Sequence, residues 1–403
     1  MLLRILCILL LPCCIQAQKY QRIHKSAVLV DTHNDIPSSA IEKKVVFDTD
    51  LRGKTHSDLN RMFKGGLDAQ MFSIFCDGEQ KDPYAYANQE MDSVYAWVNR
   101  NPSKMMLVYN PADFAKAIKQ KKLATMFGVE GGHMIENDLS KFDALYKRGM
   151  RYLTITWNNS TPWATSAADE TSQAPSKSPP KGETLNSEGN KGLTEFGRTV
   201  IKRMNELGVM VDISHAGEQT FWDIVKITTK PIIASHSCVW NICPHRRNLK
   251  DEQIKAIAKT GGVIFLNFYA GFLDSSYEKR MGEFLQQHKA EVDSLLQNNV
   301  QPDYARMMIG EKYKSITDVM RPSLSVLIDH LDYIVKLVGI DYVGMGSDFD
   351  GISAAPLELN GVEDYPLITK ALLERGYSKK DIRKILGGNF IRVFAANMKN
   401  VTQ

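Results

Sequence analysis

The chain has 403 residues, enough for one large domain with a substantial core or for two modest ones. Hydrophobic residues make up 43% and charged residues 24%, the balance of a soluble globular protein. The net charge of +4 is not gathered into any long basic run, which argues against a nucleic-acid-binding face.

In chain order, the first element is Met1 to Ala17. Arg4 is followed by a run of Leu, Ile and Cys that closes on Ile15-Gln16-Ala17. A basic start, a short apolar stretch and a small residue at the end describe a secretory signal peptide, too short for a transmembrane helix. Residues 1–17 are therefore expected to be removed, leaving 18–403 as one exported domain, periplasmic or extracellular. Pro12 before Cys13 fits lipid attachment poorly, and the C-terminal Asn400-Val401-Thr402-Gln403 carries no apolar tail, so no lipid anchor is expected. Three of the six cysteines lie in this signal. Cys76, Cys238 and Cys243 form a set too sparse for a disulfide framework, and without a CxxC pair a thiolate zinc site is not expected.

Eight short apolar or β-branched runs follow: Ala27–Asp31, Leu67–Phe75, Leu123–Val129, Met150–Trp157, Val209–Ser214, Pro231–Ser235, Gly262–Tyr269 and Tyr342–Gly346. Helical patterns separate most of them. In one, Leu193, Phe196, Val200, Ile201, Met204 and Leu207 share a face; in another, Leu324, Leu327, Ile328, Leu331, Ile334 and Val335 do. Near-continuous apolar strands alternating with amphipathic helices predict a parallel sheet covered on both faces. Eight of them predict a closed (β/α)8 TIM-type barrel, with a doubly wound open sheet as the alternative. Thr161 to Lys191, rich in Ser, Pro, Lys and Gly, reads as an exposed loop. Leu273 to Arg321 reads as extra helices over the barrel mouth.

Polar residues collect at the ends of these runs: Asp31-Thr32-His33-Asn34-Asp35, Val129-Glu130-Gly131-Gly132-His133, Asp212-Ile213-Ser214-His215, Ala234-Ser235-His236-Ser237 and Gly346-Ser347-Asp348-Phe349-Asp350-Gly351. In a barrel these C-terminal ends converge on one face. His33 and Asp35 are two residues apart and point to the same side. Three histidines and two carboxylates without thiolate suit zinc, with manganese, cobalt or iron less fitting. Five ligands exceed what one tetrahedral ion with an open position needs. Two ions bridged by Glu130 and a water or hydroxide, about 3.5–4 Å apart, would use them all.

With these motifs in place, the chain resembles the membrane dipeptidase (renal dipeptidase) family of zinc peptidases, within the amidohydrolase-like barrels. The likeness covers roughly residues 27 to 397 and includes Arg151-Tyr152-Leu153-Thr154, Thr161-Pro162-Trp163, Gly192 to Gly197 and Arg246-Arg247-Asn248 beside the motifs above. The resemblance implies His33 and Asp35 on a first zinc, Glu130 as the bridge, and His215 and His236 on a second. It implies Asp348 as the acid/base residue and Arg247 as the holder of the substrate's free carboxylate. It also suggests a homodimer. The expected reaction is dipeptide hydrolysis by a metal-bridging hydroxide, with Asp348 passing the proton to the leaving amine.

One position departs from the family pattern. Trp157 stands where a histidine often contacts the scissile carbonyl, and Asn158 is the neighbouring group able to supply a donor in its place. Trp157 otherwise walls the pocket. The alternatives are a related binuclear-metal hydrolase of another amide or a lactone, and a catalytically weakened binding protein. Asp212 and Ser235 are candidate partners for the ring nitrogens of His215 and His236.

Overall fold

The computed structural model describes residues 19–171, 191–298, 300, 302–399 and 401, so the expected signal segment, 1–17, lies outside the described residues. The strands are β1 (Val30–Asp31), β2 (Ala69–Phe75), β3 (Met105–Leu107), β4 (Leu123–Glu130), β5 (Met150–Thr154), β6 (Met210–Asp212), β7 (Ile233–Ser237), β8 (Val263–Leu266) and β9 (Val343–Met345). All pair in parallel; β1 joins both β2 and β9, and β2 passes directly to β4, so eight strands close a ring. That closure decides for the (β/α)8 barrel over an open sheet. β3 is an addition to the eight expected runs: three residues that pair only with Leu123–Thr125 at the start of β4.

Alternation along each strand sorts side chains between two cores. Ala69 and Met71 of β2, Ala124 and Met126 of β4, Met210, Ile233 and Phe265 fill the barrel interior, where Phe390, Val393 and Phe394 of helix Asn389–Met398 join them. Phe72, Ile74, Phe127 and Val129 point outward to the helix layer. Tyr152 of β5 also belongs to the interior, and its ring crosses Gly128, where a Cβ would lie 1.8 Å from Cζ. The interior is therefore apolar below and polar above, where the alternating positions become Glu130, Thr154, Asp212 and Ser235.

The insertion at 273–321 forms helices Ser275–Gln287, Lys289–Gln297, Pro302–Lys312 and Lys314–Thr317. Tyr277, Met281, Phe284 and Ile309 pack as a small core of their own on Ala270 and Ala354, which follow β8 and β9. Tyr304 donates to Glu42 at 2.9 Å, on the helix after β1, so the insertion covers the C-terminal face as expected. The expected exposed loop from Thr161 to Lys191 is corrected over its start: Thr161, Trp163, Ala164, Thr165, Ser166 and Ala167 are buried. Their composition signalled a loop, but Trp163 packs on Gly132 and Gly197, and Thr165 and Thr220 bond each other through main chain and hydroxyl. Residues 172–190 of that segment lie outside the described residues. Among the described residues Cys76, Cys238 and Cys243 are free and buried, and no helix is long and apolar enough to cross a membrane.

Candidate metal centre

The C-terminal strand ends bring the buried His33, Asp35, Glu130, His215 and His236 together with the partly buried Asp348 in one cluster. The Glu130 carboxylate divides it. Oε2 lies 3.1 Å from His33 Nε2, while Oε1 lies 3.0 Å from His215 Nε2 and 3.4 Å from His236 Nε2. His215 and His236 approach each other at 3.1 Å through Nε2. On the other side Asp35 Oδ2 is 3.5 Å and Asp348 Oδ1 3.8 Å from His33 Nε2.

These separations fit metal ligation. Two donors each about 2.0–2.1 Å from a tetrahedral ion sit roughly 3.3 Å apart. Asp35 is 4% exposed, yet neither of its oxygens has a well-formed hydrogen bond, an expensive arrangement for a carboxylate unless a cation supplies the partner. Asp35 and Asp348 converge over Gly351, where a Cβ would lie 2.3 Å from one carboxylate and 2.7 Å from the other. His215, Asp348 and Asp350 adopt positive φ values of 67°, 62° and 70°, backbone strain of the kind that clusters at functional sites.

Each imidazole is held through Nδ1, leaving Nε2 for the centre. His33 Nδ1 faces the Tyr152 hydroxyl at 2.8 Å, and that hydroxyl donates onward to the Thr32 carbonyl at 3.1 Å. His215 Nδ1 faces Asn158 Oδ1 at 3.2 Å, and His236 Nδ1 faces Ser235 Oγ at 2.8 Å. Such partners fix ring orientation and tautomer. Ser235 thus serves His236, whereas His215 is served by Asn158 and not by Asp212.

The charge balance follows from burial and neighbours. Burial opposes charge on His33, but Tyr152 and the carboxylates of Glu130 and Asp35 outweigh it and hold its pKa well above the ordinary imidazole value. Burial likewise opposes ionisation of Glu130, but the charge on His33 and the close approach of His215 and His236 hold it well below the usual carboxylate range. Burial, reinforced by Arg247, pushes His215 down to about 3. Burial and the charge on His33 push His236 well down. Asp348 is raised well above the carboxylate range by burial and the neighbouring Asp35.

Arg247 is 5% exposed, while Arg246 beside it is exposed. Its Nη2 donates to the His236 carbonyl at 3.3 Å, its guanidinium lies 5.3 Å over Phe272, and Nε and Nη1 have no partner among the described residues. Burial pushes it down to about 10, still charged at neutral pH. Trp157 lies tilted against Phe75, ring centroids 5.0 Å apart, and 6.3 Å from the His215 ring, beside the cluster. His133, from the same motif as Glu130, turns to the Cys76 carbonyl at 3.1 Å, away from the ligand set.

Several contributors went unread in the sequence. Ser73 donates to Glu130 Oε2 at 3.1 Å, and Asn267 donates to Asp348 Oδ2 at 2.7 Å. Asn267 carried a signal, a lone polar residue directly after the buried run Val263–Leu266. Tyr152 and Ser73 read as ordinary strand residues.

A parallel (β/α)8 barrel with such a cluster at its C-terminal mouth defines the class of metal-dependent hydrolase barrels. The model of the membrane dipeptidase family (peptidase family M19) matches residues 17–403, and the chain belongs to that family: it is a metal-dependent dipeptidase. Solved structures share the fold. A probable dipeptidase, PvdM, from Pseudomonas aeruginosa is 24% identical with a TM-score of 0.76, covering 95% of this chain and 98% of its own. Dipeptidase AC, a metallopeptidase, is 22% identical with a TM-score of 0.71, covering 92% and 99%. A metallopeptidase from Rhodobacter sphaeroides, solved with a phosphinate mimic of the dipeptide L-Ala-D-Ala, is 22% identical with a TM-score of 0.70, covering 92% and 99%.

Proposed function

We propose that this chain is an exported zinc dipeptidase in which His33, Asp35 and one oxygen of Glu130 hold one ion, and His215, His236 and the other oxygen hold a second. The observation that carries the reading is the division of the Glu130 carboxylate between two sets of donors. When bound, the zinc pair would supply Lewis acidity to the scissile carbonyl and would lower the pKa of an attacking water towards about 7.

The chain's own residues do the rest. The two unpartnered N–H groups of Arg247 offer a fork to the substrate's free carboxylate and fix its C-terminal end. Asn267 occupies Asp348 Oδ2, leaving Oδ1 on the side of His33. There Asp348 accepts the proton of the attacking water and delivers it to the leaving amine. Trp157 and Phe75 exclude water from the side of His215. Asn158 has spent its oxygen on His215, so only its amide N–H2 is left to meet a substrate carbonyl. The segment Met1–Ala17 supports export, and the family resemblance supports a homodimer.

The test is a panel of dipeptides that includes residues of D configuration at the C-terminal side, the geometry mimicked in the Rhodobacter sphaeroides structure. The expected result is release of free amino acids that chelation abolishes and zinc restores. Protein carrying two zincs that hydrolyses no dipeptide would contradict it. Trp157 favours a second reading, a related amide or lactone as substrate, and the same panel extended to N-acyl amino acids and lactones separates the two.

A further inference from the structure

One hydrogen-bonding device is used twice at the barrel mouth. Asp31, the last residue of β1, accepts from the Ser347 N–H at 2.8 Å, from the Ser347 hydroxyl at 2.7 Å and from the His33 N–H at 3.3 Å. Asp212, the last residue of β6, accepts from the Ser235 N–H at 2.8 Å, from the Ser235 hydroxyl at 2.6 Å and from the Ser214 N–H at 3.1 Å. In each copy an aspartate at a strand end captures the main chain two residues on and staples the neighbouring strand through a serine. In each, that serine directly precedes a residue of the site, Asp348 or His236. All four stapling side chains are fully buried.

The copies differ in what else the serine touches. The Ser235 hydroxyl has committed its proton to Asp212, so its oxygen is free to accept from His236 Nδ1 at 2.8 Å. The Ser347 hydroxyl approaches the His33 carbonyl at 3.2 Å and bonds no imidazole. We propose that Asp212 and Ser235 are positioning residues, a carboxylate–hydroxyl–imidazole relay that sets the affinity of the half-site containing His236, whereas the Asp31–Ser347 copy fixes backbone only. Without the carboxylate, the serine proton would turn to Nδ1 and place the imidazole proton on Nε2, the atom the ion needs. The inference rests on the two-zinc reading above.

The matched pair Ser235→Ala and Ser347→Ala tests it, because each removes one stapling hydroxyl and only the first removes an imidazole partner. Zinc affinities of the full-length mature protein are read by competition with a chelator of known affinity. Ser235→Ala is expected to weaken one of the two zincs by about 10- to 100-fold, with Ser347→Ala leaving both within about twofold of wild type. Asp212→Asn, which preserves side-chain volume, carries the same expectation and serves if Ser235→Ala does not fold. Unchanged zinc affinity in Ser235→Ala overturns the relay, and so do equal losses in the two alanine variants. Failure of both Ser235→Ala and Asp212→Asn to fold while Ser347→Ala folds would also count against it, since the staple would then serve the fold. Wild-type protein that holds fewer than two zincs would sink the functional reading and the relay with it. Two zincs in wild type with Ser235→Ala unaltered would sink the relay alone.

Discussion

The two halves of the centre are built on different principles. Around His33 gather Asp35, Asp348 and one oxygen of Glu130, so the half on β1 and β9 is rich in carboxyl groups. The half on β6 and β7 has two imidazoles and only a share of Glu130. In the proposed centre the first half would offer a cation mainly carboxylate oxygens, and the second would offer rings aimed by Asn158 and Ser235. The same surroundings move the pKa values apart: the carboxylates raise that of His33, and burial lowers those of His215 and His236.

The largest effect should come from the group common to both halves. Glu130→Ala is expected to empty at least one metal position and abolish turnover, read by elemental analysis and a dipeptide assay; full zinc content would refute the bridge. Next is Asp348→Asn, which should keep the metal and lose about 100- to 10,000-fold in kcat. Unchanged activity there would remove Asp348 from the mechanism. Arg247→Met touches neither ion and should cost about 10- to 100-fold in kcat/KM, chiefly through KM, as expected for a charged hydrogen bond worth roughly 1.5–3 kcal/mol. A kcat loss with KM unchanged would contradict its assignment to the substrate carboxylate.

The smallest effect sharpens the comparison of the halves. Because the pKa of His33 is raised, its proton must leave before Nε2 can bind a cation, so affinity in the first half should rise with pH until that raised pKa is passed. His215 and His236, with lowered pKa values, have no proton to lose at neutral pH. Calorimetry of zinc uptake in buffers of different ionisation enthalpy should therefore show more protons released in loading the first half, with its raised His33 and Asp348, than in loading the second. Proton release of equal size in both steps would show the halves to be alike.

Much of this was legible in the sequence for a definite reason. The eight runs that form the ring are buried on both sides, and such strands announce themselves as unbroken apolar stretches; the candidate ligands stand out because each follows the end of such a run. What stayed hidden depends on contacts between distant segments. β3 is a three-residue addition to the edge of β4, too short to carry a period. Thr161 to Ala167 has loop composition but is buried by Gly132, Gly197 and Thr220. Tyr152 reads as one more strand aromatic until Gly128 lets its ring cross the barrel to His33, 119 residues away in sequence. Asn158 was legible as a polar residue near the substrate, but its bond to His215 is a tertiary fact.

The most direct measurement is anomalous diffraction at the zinc edge from crystals of the mature, zinc-loaded protein. Two peaks are expected, one beside each oxygen of Glu130, the first touching His33 and Asp35 and the second touching His215 and His236. A single peak, or zinc bound elsewhere with Glu130 free, would contradict a centre divided by that carboxylate.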